Sequence, residues 1–142
     1  MALFTSIKQM LTKPAAPAEA APAADRQPEP APQPVEVQEV LCADLIPLYR
    51  SGAGPRLLDC RESFEWAQVR IPGSLHIPMN DIPERLQELD PAVEWVVVCA
   101  HGNRSFSVAD YLLRNGVQAA SLAGGVTDWW MHGGETESDQ RR

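Results

Sequence analysis

Residues 96–113 read VVVCAHGNRSFSVADYLL, and the pattern of the chain changes at the single cysteine within them. The valines before Cys99 form a β-branched run without alternation, which predicts a strand that is buried on both faces. From Ser105 the apolar residues follow a helical period, with Ser105 as the expected N-cap and Asn115-Gly116 as the expected end. The stretch therefore predicts a central strand, a short loop that begins at Cys99, and a helix.

On either side of this stretch, short apolar runs alternate with segments of helical period. Strands are expected in VEVQEV (35–40), RLLDC (56–60), SLHIP (74–78) and VQAASLAGG (117–125). Helices are expected in CADLIPLYRSG (42–52), in residues 63–69 with Phe64 and Trp66 as packing residues, in NDIPERLQEL (80–89) with Asn80 or Asp81 as N-cap, and in VTDWWMHGG (126–134). This alternation indicates an α/β fold, a parallel sheet covered by helices on both faces. Ligand sites in such sheets lie at the carboxyl ends of strands, where Cys99 is expected.

Composition and charge argue against several classes of function. The 142 residues are enough for one ordinary domain, and a net charge of −7 without a Lys/Arg cluster argues against nucleic-acid binding. Three cysteines without a C-x-x-C pair suggest neither disulfides nor a zinc site, and they indicate reduced thiols in a cytoplasmic protein. No apolar run approaches the roughly 20 residues of a membrane span, so no membrane-spanning helix is expected, and membrane contact of any kind is disfavoured.

The ends of the chain differ from its middle. Residues 1–13 place apolar side chains on one helical face, which fits either a short amphipathic helix that docks on a membrane surface or a protein partner, or a frayed terminus. Residues 14–34 hold seven of the 13 prolines and are expected to form a Pro/Ala-rich disordered tether. The domain is expected over residues 35–134, followed by a loose polar tail, 135–142.

The loop after Cys99 has the composition of an anion-binding site. Gly102 permits the backbone conformations in which successive N–H groups turn toward one point. The positive end of the following helix and the Arg104 guanidinium add to those donors, so the pKa of Cys99 is expected to lie below that of a free cysteine. A thiolate held by such donors is a nucleophile.

Three ordered motifs resemble those of the rhodanese (sulfurtransferase) family. CAHGNRS (99–105) is similar to the family's C-x-x-G-x-R-S loop. The segment LLDCRESFEWAQVRIPGSLHIP (57–78) is similar to its Asp-x-Arg-x-x-x-Glu-[Tyr/Trp] … Ile-Pro-Gly-[Ala/Ser] … Ile-Pro segment, and LAGGVTDW (122–129) to its Glu-Gly-Gly-x-x-x-Trp motif. The resemblance covers about residues 35–133.

The resemblance implies a single-domain sulfurtransferase with five parallel strands. Cys99 would take a sulfur atom from a donor such as thiosulfate or a persulfide, become a persulfide, and pass the sulfur to cyanide or a thiol. No metal and no organic cofactor is implied. The loop that would bind the donor and stabilise the persulfide comprises Ala100, His101, Gly102, Asn103, Arg104 and Ser105.

Loop length distinguishes two chemistries on this fold. By resemblance, rhodaneses have six residues from Cys to Arg, and related dual-specificity phosphatases have one more, which widens the loop for phosphate. Cys99 to Arg104 is six residues, which favours sulfur transfer. The alternative function is a sulfur-relay module that docks on a partner through its N-terminal segment and turns over small molecules incidentally.

Several residues keep two interpretations. Arg104 fits either anion binding or a structural ion pair, and His101 fits either a proton donor or a solvent-facing residue. Asp59 and Arg61 are expected to pair and to support the loop from a neighbouring strand end, and direct contact with the substrate is the alternative interpretation of Arg61. Cys60, where the family usually has an apolar residue, fits either core packing or a second thiol that accepts sulfur from Cys99.

Overall fold

The computed structural model describes residues 35–139, which form a five-stranded sheet whose neighbouring strands are all parallel. The strands are β1 (Glu39–Val40), β2 (Arg56–Asp59), β3 (Leu75–His76), β4 (Trp95–Val98) and β5 (Ala119–Leu122). The α-helices are α1 (Cys42–Arg50), α2 (Ser63–Gln68), α3 (Asn103–Arg114) and α4 (Gly125–Met131). The strand order is β1-β5-β4-β2-β3, and the predicted α/β fold is confirmed.

The strand β4 lies at the centre of the sheet, as its sequence predicts. It pairs with β2 on one side and β5 on the other, and all four of its residues are buried. Because side chains alternate across a strand, Trp95 and Val97 join one core while Val96 and Val98 join the other. The absence of polar alternation in this run is explained by its burial on both faces.

Helices cover both faces of the sheet. On the face that holds Val97, α3 contributes Val108, Ala109 and Leu112 to the core. The opposite core contains buried residues from both α1 and α4, and these are Cys42, Leu45, Ile46, Val126 and Trp129. Apolar surface on each side of β4 is thereby removed from water, which is the main favourable term in folding.

The helix predicted over residues 80–89 is wrong. Two 3₁₀-helices, Met79–Asp81 and Pro83–Glu88, occupy this region, and neither has a side-chain cap. Pro83 is compatible with a first helical turn, where its missing N–H would have no partner, but the backbone leaves the helical region at Arg85, with φ −115° and ψ +17°. The backbone instead forms hydrogen bonds between residues three apart, from Ile82 N–H to Met79 O and from Arg85 N–H to Ile82 O.

Two further local expectations are only partly met. The strand predicted over residues 35–40 is limited to β1, an edge strand that pairs with β5 at two positions. Phe64 is 66% exposed and does not pack, because α2 has only six residues and buries none of them fully. Trp66 does pack, since its ring stacks on that of His76 at 4.7 Å.

The polar segment after residue 134 contacts the domain. Arg70 and Glu137 form an antiparallel bridge, and the Arg70 side chain pairs with Glu137 at 2.9 Å and with Asp139 at 2.7 Å. The Trp129 indole N–H donates to Glu135 O at 2.8 Å. The expectation of a loose tail is therefore wrong for residues 135–139. Polarity alone suggests a loose segment, but backbone and ion-pair contacts hold these residues.

The predictions for residues 1–13 and 14–34, and for the last three residues, lie outside the described part of the chain. Within residues 35–139, no helix combines the length and the hydropathy needed to cross a membrane.

Candidate active site

Cys99 directly follows β4 at the carboxyl edge of the sheet. The neighbouring strand β2 ends at the same level, because Asp59 is in register with Val98, and Cys60 is the next residue along that strand. Parallel strands end together at this edge, and the α-helices that come after them begin there. Cys99 therefore lies between the central strand and the N-terminus of α3.

Gly102 makes the turn from the strand into α3 possible. Its φ of +103° lies in the left-handed region, and it serves as the N-cap of α3. A Cβ at this position would lie 3.1 Å from the backbone nitrogen of Gly124, so both the conformation and the space favour glycine. The expectation that Ser105 caps the helix is wrong, because the helix begins at Asn103 and Ser105 lies inside its first turn.

The start of α4 holds the backbone of the loop. Val126 N–H donates to Cys99 O at 2.9 Å, and Thr127 N–H donates to Ala100 O at 3.2 Å. A Cβ on Gly125 would lie 2.2 Å from Cys99 O, so this close approach requires glycine. Because C=O and N–H point in opposite directions across a trans peptide, a carbonyl that faces α4 directs the next N–H the other way.

Hydrogen-bond donors converge on the Cys99 sulfur. Gly102 N–H donates to Sγ at 3.0 Å, and Ser105 Oγ lies 3.4 Å from Sγ. Ser105 Oγ in turn lies 2.7 Å from Ser121 Oγ, and both serines are fully buried. The sulfur is therefore surrounded by donors in a site that excludes water, where each hydrogen bond to an anion is strong.

The hydrogen bonds outweigh burial in setting the pKa of Cys99. Burial raises this pKa, but the Ser105 hydroxyl and the backbone N–H groups of Ser105, Gly102 and His101 lower it by more, so the result is below the ordinary value for cysteine. Burial raises the pKa of Cys60 to about 12 and that of Cys42 to about 11. Cys99 is thus the most acidic of the three thiols.

Arg104 is bound by a carboxylate from α2. Its Nη1 and Nη2 atoms donate to Glu65 Oε2 and Oε1, each at 2.8 Å, in a bidentate pair. The ion-pair interpretation of Arg104 therefore describes this structure. Glu65 belongs to the motif that resembles the rhodanese family, but its role could not be derived from the sequence, since it depends on a contact across 39 residues.

Asp59 and Arg61 form the expected pair. Arg61 Nε donates to Asp59 Oδ1 at 3.0 Å and Nη2 donates to Oδ2 at 2.8 Å, with both side chains buried. Arg61 Nη2 also donates to Val69 O at 2.6 Å, and His76 Nε2 bonds to Arg61 O. The guanidinium thus connects the end of β2 to the residue after α2.

The remaining predicted loop residues are less buried than Cys99. His101 and Asn103 are exposed, and Ala100 is half-buried. Ser121 could not be identified from the sequence, because a single serine in a short strand carries no signal of its contact with Ser105. Among the described residues, no group of three or more His, Cys, Asp or Glu side chains could hold a metal ion.

Comparisons with known proteins agree with this geometry. Residues 47–132 match the family described as Rhodanese-like domain. The chain is 36% identical over 95 residues to "Putative sulfurtransferase YtwF" of Bacillus subtilis, covering 67% of this chain and 92% of that protein. It is 30% identical over 81 residues to "Thiosulfate sulfurtransferase GlpE" of Stutzerimonas stutzeri, covering 57% and 74%.

A solved structure shows the same fold. The "Rhodanese-like Domain Protein from Staphylococcus aureus" superimposes with a TM-score of 0.66 and 30% sequence identity, over 73% of this chain and 100% of that one. The family match covers the region that contains Cys99 and its loop. This chain belongs to the rhodanese-like domain family.

Proposed function

We propose that this protein transfers sulfane sulfur through a persulfide on Cys99. The observation that carries the proposal is the set of donors around one thiol, with Gly102 N–H at 3.0 Å and the Ser105 hydroxyl at 3.4 Å from Sγ. These donors stabilise a thiolate before the reaction and the terminal sulfur anion after it. Two relatives are named sulfurtransferases, which supports transfer of sulfur as the reaction class.

The first half-reaction loads the enzyme. The Cys99 thiolate attacks the outer sulfur of thiosulfate and forms an S–S bond. The bond between that sulfur and the sulfonate sulfur breaks and its electron pair leaves with sulfite. The terminal sulfur of the persulfide keeps the negative charge that it carried in thiosulfate. We expect the donors that contact Sγ, Gly102 N–H and the Ser105 hydroxyl, to stabilise this charge, and the hydrogen bonds from α4 hold the loop backbone.

The second half-reaction unloads the enzyme. Cyanide or a thiolate attacks the terminal sulfur, the Cys99–S bond breaks, and its electron pair returns to Cys99 as the thiolate. Cyanide yields thiocyanate, and a thiolate yields a new persulfide. Thiosulfate is proposed as one donor because a relative carries it in its name, and the six-residue spacing from Cys99 to Arg104 supports a sulfur rather than a phosphate substrate.

The test is intact-mass measurement after incubation with thiosulfate. The native protein should gain one sulfur atom, which cyanide then removes as thiocyanate. The Cys99→Ala variant should gain none, whereas Cys60→Ala and Cys42→Ala should load as the native protein does. Sulfur gain in Cys99→Ala would move the reactive thiol to Cys60 or Cys42, and turnover of p-nitrophenyl phosphate by a protein that thiosulfate leaves unmodified would refute sulfur transfer.

A further inference from the structure

We propose that Glu65 selects sulfur donors by their charge. By neutralising Arg104, its carboxylate favours donors with less negative charge, such as organic persulfides and thiosulfonates, over dianionic thiosulfate. The inference rests on the proposed function, because it concerns the donor that loads Cys99. It assigns Glu65 as a specificity-determining residue that acts through Arg104.

The Glu65 carboxylate compensates most of the positive charge of the Arg104 guanidinium. Both carboxylate oxygens of Glu65 accept from the guanidinium at 2.8 Å, which is the bidentate arrangement that carboxylates form with arginine. The Arg104 and Glu65 side chains are 33% and 18% exposed, so solvent screens the pair only partly. An anion that approaches Cys99 therefore meets an arginine whose charge is already compensated.

Glu65 is held at this position from its own helix as well. Its Oε2 atom accepts from Glu62 N–H at 2.9 Å, while the Glu62 side chain accepts from the Glu65 backbone, which together form a capping box at the start of α2. The hydrogen bonds from Arg104 hold the pKa of Glu65 at about 2, so the carboxylate is charged at neutral pH. Movement of Arg104 toward a ligand would leave this negative charge beside the site.

The second arginine of the site is compensated in the same way. Arg61 is buried against Asp59, with both side chains 3% exposed or less. The positive potential around Cys99 therefore comes mainly from backbone N–H groups and the N-terminus of α3. These donors suit one sulfur anion, and the second charge of a dianion has no compensating excess of positive charge in a chain of net charge −7.

The test compares two donors that differ in charge and share an outer sulfur bound to a sulfonyl group, dianionic thiosulfate and monoanionic methanethiosulfonate. For each, kcat/KM is measured with cyanide as the acceptor in the native protein and in Glu65→Gln. Coulomb energy is proportional to the donor charge, so the logarithmic gain for the dianion should be twice that for the monoanion. We expect kcat/KM to rise about threefold for methanethiosulfonate and about tenfold for thiosulfate.

Controls separate charge from structure. Glu62→Gln removes the same charge at the N-cap of α2, keeps a side-chain oxygen that can accept from the Glu65 backbone, and does not touch Arg104. It should change the donor ratio by less than half as much on a logarithmic scale. Arg104→Gln should lower both values, the dianion more, and Glu65→Gln with Arg104→Gln should restore the native ratio. If Glu65→Gln does not fold, comparison of the double variant with Arg104→Gln still measures the effect of the Glu65 charge on the donor ratio.

Equal changes for both donors in Glu65→Gln, or a double variant that keeps the ratio of Arg104→Gln, would overturn the proposal. Failure of both donors to add sulfur to the native protein would instead refute the proposed function. Sulfur loading with a donor ratio that Glu65 does not affect would refute only the role of Glu65.

Discussion

Cys60 and Cys99 directly follow neighbouring strands at the same edge of the sheet, and the pKa values of their thiols are shifted in opposite directions. Both residues are buried, at 0% and 1% exposure, and both belong to the same core. Burial raises the pKa of Cys60 to about 12, with the charges of Cys99 and Asp59 adding to the effect. The pKa of Cys99 is lowered although burial acts on it too.

The residues immediately after each cysteine account for the difference. After Cys99 the chain turns at Gly102 into α3, and the N–H groups of the turn and of the first helical residues face the sulfur. The residue after Cys60 is Arg61, and its backbone N–H donates to the Asp59 carboxylate at 3.0 Å instead of to the Cys60 sulfur. The comparison indicates that burial alone raises the pKa of a thiol, and that the loop donors lower it.

The largest expected effect tests the two cysteines directly. Variants with a single thiol are made, Cys42→Ala/Cys60→Ala to retain Cys99 and Cys42→Ala/Cys99→Ala to retain Cys60. Because each pKa unit changes the thiolate fraction about tenfold, iodoacetamide should alkylate Cys99 at pH 7 at least about 100-fold faster than Cys60. The rate for Cys99 should rise with pH to a midpoint below that of free cysteine, and the rate for Cys60 should still be rising at about pH 10.

Comparable alkylation rates at pH 7 in the folded single-thiol variants would contradict the comparison. Circular dichroism before and after alkylation checks that Cys60 reacts from the folded protein. Both thiols have almost no exposed area, so the pH midpoint of each rate, rather than the rate at one pH, identifies the contribution of the thiol pKa.

The next effect concerns the turn that separates the two environments. Gly102→Ala places a side chain at φ +103°, which costs about 1–3 kcal/mol, and moves the N–H that now lies 3.0 Å from Sγ. Loss of a hydrogen bond to an anion should slow alkylation of Cys99 at pH 7 about tenfold. Urea denaturation measures the stability, and the pH profile of alkylation measures the thiol.

Gly116→Ala is the matched control for this variant. Gly116 also has a positive φ, +81°, but a Cβ there would meet no atom within 4 Å, and the residue lies at the far end of α3. It should lose about 1 kcal/mol of stability from the left-handed conformation and leave the alkylation profile unchanged. Equal effects of the two variants on the thiol would show that the turn acts only through stability.

The region around Cys99 could be predicted further from the sequence than the rest. The valine run, the glycine and the helical period act within a short stretch, so β4, the loop and α3 arise from local preferences. The N-cap was predicted at Ser105 because serine is a preferred N-cap residue. Gly102 occupies that position instead, because the turn into α3 requires a positive φ. The same local reasoning failed at residues 80–89, where the backbone leaves the helical region at Arg85.

Contacts between distant segments could not be predicted at all. Glu65 reaches Arg104 across 39 residues, Arg70 reaches Glu137 across 67, and Ser121 reaches Ser105 across 16. Each depends on how the helices and strands pack, and the residue types involved are ordinary on the surface or in a strand. The site was therefore predictable as a loop, and its supporting residues were not.

The smallest expected effect concerns Ser121, which supports the Cys99 environment from β5. When Cys99 is ionised, the Ser105 hydroxyl donates to Sγ, and Ser121 can donate to Ser105 Oγ at 2.7 Å. Ser105→Ala removes the donor to the anion and should slow alkylation at pH 7 about tenfold. Ser121→Ala removes only the polarising partner of Ser105, so the alkylation rate should fall about threefold. The midpoint of the pH profile should rise by less than it does in Ser105→Ala.

Ser121→Thr keeps a hydroxyl on the strand and should restore most of the native profile, which separates hydrogen bonding from packing. A purely structural role would lower stability in Ser121→Ala without moving the pH midpoint of alkylation. In that outcome the Ser105 hydroxyl is sufficient by itself, and the difference between Cys99 and Cys60 would arise within the loop and the first turn of α3, with no contribution from β5.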